Sequence, residues 1–94
     1  MERQAGESRE SAPRGGLDET ARAILALEAE WPRYSGAKEE EIRSRLGLPP
    51  ARYYQLLGRL VDDPDALAAE PLLIGRLRRL RERRSAHRSR LLAT

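Results

Sequence analysis

The chain has no cysteine, no phenylalanine, one histidine, one methionine and one lysine. Without cysteine there is no disulfide framework, no thiolate zinc site and no cysteine nucleophile, and a lone His87 leaves no second imidazole for a metal cage or a proton relay. Hydrophobic residues make up 39% and aromatics only 4% of 94 residues, enough for one modest core and too little for a multidomain enzyme. No run approaches the roughly 20 apolar residues of a membrane span. Met1 to Leu17 mixes acids and arginines without an apolar centre, so it does not read as a signal peptide, and a cytoplasmic protein is the expectation. These absences point away from catalysis and from any cofactor, toward a binder.

What the chain does have is arginine, which supplies 17 of its 18 basic residues. They are unevenly placed. Residues 1–47 carry 8 basic and 10 acidic side chains (net −2), and residues 48–94 carry 10 and 5 (net +5), which together give the total of +3. Between Arg76 and Arg90 eight arginines face a single acid, Glu82, a local excess of +7 that suits an anionic polymer.

Residues 1–16 hold Gly6, Gly15, Gly16 and Pro13 among serines and charges, with almost nothing to bury, and are expected to form a disordered arm. A helical domain is expected over residues 17–80 and an arginine-rich extension over 81–94. Asp18 is a suitable N-cap for an amphipathic helix over 19–31, where Ala21, Ile24, Leu25, Leu27 and Trp31 recur at helical spacing before Pro32 stops it. A short helix follows from Lys38 and the glutamates Glu39, Glu40 and Glu41, whose charge suits a helix N-terminus, and ends at Gly47. Pro50 opens a helix through Val61, Asp63 caps a brief one over Pro64 to Ala69, and Pro71 opens the last. No alternating run of β-branched residues is present, so the fold class expected is all-α, a small helix-turn-helix-containing bundle with a basic C-terminal helix.

The central stretch IRSRLGLPPARYYQLLGRL, residues 42–60, carries the functional signal. Ile42 and Leu46 share one helix face, Gly47 permits a tight turn, Leu48 plugs it, and Tyr53, Leu56, Leu57 and Leu60 fall within about 100° on the next helix. Two helices joined by so short a turn cross steeply and meet through apolar residues in the angle between them. The pattern resembles helix-turn-helix DNA-binding families, although Arg43 stands where such families usually place a small residue and the Pro49-Pro50 pair is unusual at the turn. The same leucines would serve a plain helical hairpin. Opposite the apolar face lie Ala51, Arg52, Gln55, Gly58 and Arg59, with no acid among them. Arginine pairs bidentately with guanine and glutamine with adenine, so Arg52, Gln55 and Arg59 are the candidate base contacts. Gly58 costs about 1 kcal/mol relative to alanine in mid-helix, so it favours close approach to something, whether nucleic acid or another helix.

Tyr54 stands at the edge of this face, able to meet a phosphate or simply to cover the core. Arg76, Arg78, Arg79, Arg83, Arg84 and Arg88 complete the candidate phosphate contacts. Beyond Leu80 the last helix is expected to be basic all round, which destabilises it in isolation and leaves it wanting a polyanion. His87 reads as an ordinary solvated residue. Glu39 to Glu41 point in different directions on a helix, and Asp62, Asp63 and Asp65 lack the glycine and distal glutamate of a calcium loop, so neither group is expected to hold a metal.

Over residues 24–81 several segments form a combination: the Ile-Leu-Ala-Leu-Glu helix ending at Trp31, Gly36-Ala37-Lys38-Glu39, Arg52-Tyr53-Tyr54-Gln55-Leu56-Leu57, Asp62-Asp63-Pro64, and Pro71-Leu72-Leu73 followed by Arg-Leu-Arg-Arg-Leu. This combination resembles a family of small actinobacterial proteins catalogued as a domain of unknown function and described as helix-turn-helix-like. The resemblance implies a fold and no activity. The function expected from the residues is a non-enzymatic DNA-binding protein, a transcription regulator or nucleoid-associated protein in the cytoplasm, whose partner is duplex DNA. A protein-interaction module docking on an acidic partner such as the transcription machinery is the alternative, and RNA a third partner. The oligomeric state is open, a dimer being compatible with the pattern.

Overall fold

The computed structural model describes residues 16–93. The arm expected over 1–16 lies, but for Gly16, outside them. The described residues form a small all-α bundle with no strand: α1 (Glu19–Glu30), α2 (Gly36–Glu41) continuing into a π-helical turn over Ile42–Leu46, α3 (Pro50–Val61), α4 (Pro64–Ala69) and α5 (Pro71–Ala93).

Each boundary has a local cause. Asp18 caps α1 by accepting from the Ala21 N–H at 2.8 Å, and the chain leaves the helix at Trp31 before Pro32. Ser35 caps α2 by accepting from the Lys38 N–H at 3.1 Å, so this helix starts at Gly36, two residues ahead of Lys38, where the sequence signalled it. The widened turn over Ile42–Leu46 has no counterpart in the apolar spacing. It ends at Gly47, whose φ of 68° is left-handed backbone that a side chain rarely adopts, and this turn therefore depends on glycine. Proline stands first in each of α3, α4 and α5, where its missing N–H removes no helical hydrogen bond. Asp63 caps α4 by accepting from Asp65 N–H at 2.9 Å.

The core gathers Ile24, Leu25 and Leu27 from α1, Ile42 from the π-helical turn, Tyr53, Leu57 and Leu60 from α3, Ala66 from α4, and Leu73 and Ile74 from α5. Leu46 and Leu48 pack against it from either side of the Gly47 turn. Only the first turns of α5 take part. From Arg81 to Ala93 every residue is exposed, so the helix runs off the end of the bundle.

Among the described residues no helix is long and apolar enough to cross a membrane.

Candidate nucleic-acid interface

The orientation of α3 is set from behind by a cluster that the apolar pattern did not announce. Glu28 on α1 and Lys38 on α2 are 4% and 1% exposed, and their charges meet at 2.7 Å. The Tyr53 hydroxyl on α3 donates to the same Glu28 Oε1 at 2.7 Å. One polar knot thus joins three helices. Lys38 Nζ also stands 5.8 Å from the Tyr53 ring centre and 5.4 Å from that of Tyr54, where the negative ring faces favour a cation. Burial, and then the hydrogen bond to Glu28, pushes the Tyr53 phenol well above its ordinary range. A buried ion pair adds little net stability over apolar residues of the same shape, but it penalises any packing that separates its members. Here it penalises rotation of α3 away from α1 and α2.

Two signals could have exposed the knot. Lys38 is the single lysine in a chain that otherwise uses arginine, and Glu28 follows Ile24 by four residues, on the stripe of α1 that is buried.

On the other side of α3, Ala51, Arg52, Gln55, Gly58 and Arg59 are all exposed. Arg52 Nη1 donates to Gln55 Oε1 at 2.6 Å, so these two side chains are ordered together. A Cβ added to Gly58 would meet nothing within 4 Å. Among the described residues no other helix, one of the two reasons for a glycine there, packs within 4 Å of this position.

One of the expected phosphate contacts is corrected and another has a second role. The Tyr54 hydroxyl is enclosed and has no hydrogen-bond partner among the described residues, so it cannot reach a phosphate while the bundle is intact. Its ring packs edge-on against Tyr53, with centres 4.9 Å apart, and stands 5.9 Å from Tyr34. Burial, reinforced by the Glu28 charge, raises its phenol to about 12. Tyr54 belongs to the core edge. Arg78 is half-buried and its Nε donates to the Val61 carbonyl at 2.8 Å, which ties α5 to the last residue of α3. That bond uses one of the five guanidinium donors and leaves the terminal nitrogens outside it. Helix periodicity alone did not separate it from its neighbours, because Val61 comes beside it only after two chain reversals.

The remaining arginines of α5 differ in setting. Arg76 is half-buried, while Arg79, Arg83, Arg84 and Arg88 are exposed. Arg81 forks onto Asp62, with Nη2 to Oδ1 at 2.9 Å and Nη1 to Oδ2 at 3.2 Å, and these bonds hold the Asp62 carboxyl below its usual range. The expectation of a surface basic all round beyond Leu80 is also corrected. At about 100° per residue the helical segment puts Glu82, Ser85, Ala86, Ser89 and Ala93 together on one side, away from the arginines. Arg43, the residue out of place for a helix-turn-helix, points to solvent beside Glu39 and Glu40, at 3.9 and 3.5 Å.

Among the described residues no three potential metal ligands come together, and Glu28 is already held by Lys38 and Tyr53.

The molecule is thus a small all-α bundle with one acid-free helix face and one arginine-rich helix that outruns its core. It belongs to the family described as Protein of unknown function (DUF3263), whose model matches residues 16–89. No curated protein and no solved structure matches the chain.

Proposed function

We propose that the chain is a non-enzymatic DNA-binding protein, a small transcription regulator or nucleoid-associated protein, in which α2, the Gly47 turn and α3 act as a helix-turn-helix. Gly58 carries this reading. It weakens α3 by about 1 kcal/mol relative to alanine, and among the described residues nothing comes within 4 Å of a Cβ placed there. A groove wall is the kind of surface against which a bare helix backbone gains, and the flanking Arg52, Gln55 and Arg59 supply donors for it.

The pairing of Arg52 with Gln55 narrows what the face would read. With Gln55 Oε1 accepting from Arg52 through one of its two lone pairs, the pair offers mainly N–H donors outward, from the rest of the guanidinium and from the Gln55 amide. Guanine presents two acceptors, N7 and O6, in the major groove to such donors, whereas adenine would have to share the glutamine oxygen with Arg52 for its N6 amine. A guanine-containing site is the better match. Arg76, Arg79, Arg83, Arg84 and Arg88 would add contacts to phosphate that carry no sequence information.

Selection of bound duplexes from a random pool tests this. The parent should enrich a guanine-bearing motif, and Arg52→Ala with Gln55→Ala should lose that motif while retaining affinity for bulk duplex. Equal loss on all sequences would remove the base-reading role of α3. No shift of any duplex at physiological salt, with capture of an acidic protein that survives nuclease, would replace the proposal with the protein-interaction reading.

A further inference from the structure

The part of α5 beyond the bundle has an order that its composition conceals. Arg81 is held by Asp62 at the bundle's edge, and one turn on, Arg84 still borders the concavity lined by Pro32, Tyr34 and Tyr54 while exposed to solvent. Take the line of Leu80, His87 and Leu91, which fall within about 20° of one another's mean direction on a helix of 100° per residue. Arg84 and Arg88 lie about 40° and 80° to one side of that line, and Arg83 and Arg90 about 60° and 80° to the other. The far side carries Glu82, Ser85, Ala86, Ser89 and Ala93, and its only charge is acidic. The arginines thus form two shoulders on a single face.

From this arrangement we infer that the overhang is a second groove-binding helix, seated lengthwise in the major groove of duplex DNA, with Arg83 and Arg90 on the phosphates of one strand, Arg84 and Arg88 on those of the other, and His87 toward the base edges between them. The inference rests on the DNA-binding reading of the chain but not on base reading by α3. A helix lying on the outside of a backbone needs one basic line, and its second shoulder would point into solvent. A groove about 12 Å wide accepts a helix of similar diameter and presents phosphates to both shoulders at once. The minor groove, about 6 Å wide, is too narrow for it, and the major groove of A-form RNA is too narrow and deep. Arg83 and Arg90 are about 10.5 Å apart along the axis, or about three base pairs. The acidic and small side then faces water, where Glu82 meets no phosphate.

The full-length chain would be titrated against a labelled 30-base-pair duplex over a range of sodium chloride concentrations, alongside the double variants Arg83→Gln/Arg90→Gln and Arg84→Gln/Arg88→Gln. These four side chains are exposed and glutamine keeps helix propensity, and circular dichroism checks the fold. Each pair should lower the slope of log K against log salt by about 1.8, at about 0.9 per lost phosphate contact. In a chain also carrying Arg52→Ala and Gln55→Ala, binding should yield to the major-groove ligand methyl green and resist the minor-groove ligand netropsin. If only one pair moves the slope, or netropsin displaces the doubly substituted chain, the groove-seated helix is wrong and the DNA-binding reading stands. Tighter binding of both shoulders to duplex RNA than to duplex DNA also overturns it. Failure of the parent chain to bind any duplex removes both.

Discussion

Replacing Lys38 by methionine isolates what the knot between α1, α2 and α3 does. Methionine keeps most of the stem and removes the charge, leaving the Glu28 carboxylate 4% exposed with Tyr53 as its hydrogen-bond donor. At the observed 2.7 Å the gross attraction of the pair is about 6 kcal/mol for an effective dielectric constant near 20. Desolvating two ions costs several kcal/mol each, so the intact pair is close to neutral, and the asymmetry appears when one member is lost. An uncompensated buried charge costs about 3–5 kcal/mol, a large part of the about 5–15 kcal/mol that holds a small domain together. Lys38→Met should therefore lower the melting temperature by at least about 12 °C, at about 4–8 °C per kcal/mol for a domain of this size. Urea unfolding followed by the fluorescence of Trp31, the single tryptophan, and by far-ultraviolet dichroism measures it. A second substitution identifies the cause: adding Glu28→Gln should recover more than half of the loss. A Lys38→Met chain within 1 kcal/mol of the parent, or a double variant as unstable as the sum of the singles, would refute the reasoning.

Two more outcomes follow from particular side chains. Gly58→Ala should stabilise the chain by about 0.5–1 kcal/mol, since the new methyl group meets nothing, yet weaken duplex binding in a mobility-shift titration; unchanged affinity would mean that α3 does not approach a groove at that point. Raising pH should destabilise the fold between about 10 and 12. The Tyr53 and Tyr54 phenols lie above their ordinary value, Tyr54 at about 12, so their contribution is complete below the unfolded value near 10 and disappears as pH rises through the folded values. Unfolding free energies from urea titrations at pH 9 and 11 should differ by up to about 1.4 kcal/mol per tyrosine for each pH unit above 10, and Tyr54→Phe should flatten the dependence; equal free energies would contradict it.

Much of the architecture was legible in short-range signals. Asp18, Pro50, Asp63 and Pro71 start helices through their own backbone and side-chain chemistry, and Gly47 ends one because left-handed backbone suits glycine. These effects act within four residues, so the chain states them locally. The exposed face of α3 was equally readable, because helical periodicity sorts Arg52, Gln55 and Arg59 away from Tyr53, Leu57 and Leu60 whatever the helix packs on. Periodicity also contains the two shoulders of α5, once the helix is known to run unbroken to Ala93.

Pairings across the bundle were not legible. Glu28 and Lys38 each look like surface residues, and only the crossing of α1, α2 and α3 removes both from water and brings them to 2.7 Å. Arg78 is one arginine among eight until Val61 arrives beside it, and Tyr54 has the spacing of a boundary residue until its hydroxyl is enclosed. Composition and helical period determined which helices form, where they stop and which face of each is apolar, since those follow from the backbone and from water. The tertiary structure alone decided which charges are buried, which arginines remain outside and that no described residue packs on Gly58, because desolvation and long-range contact depend on neighbours distant in the chain.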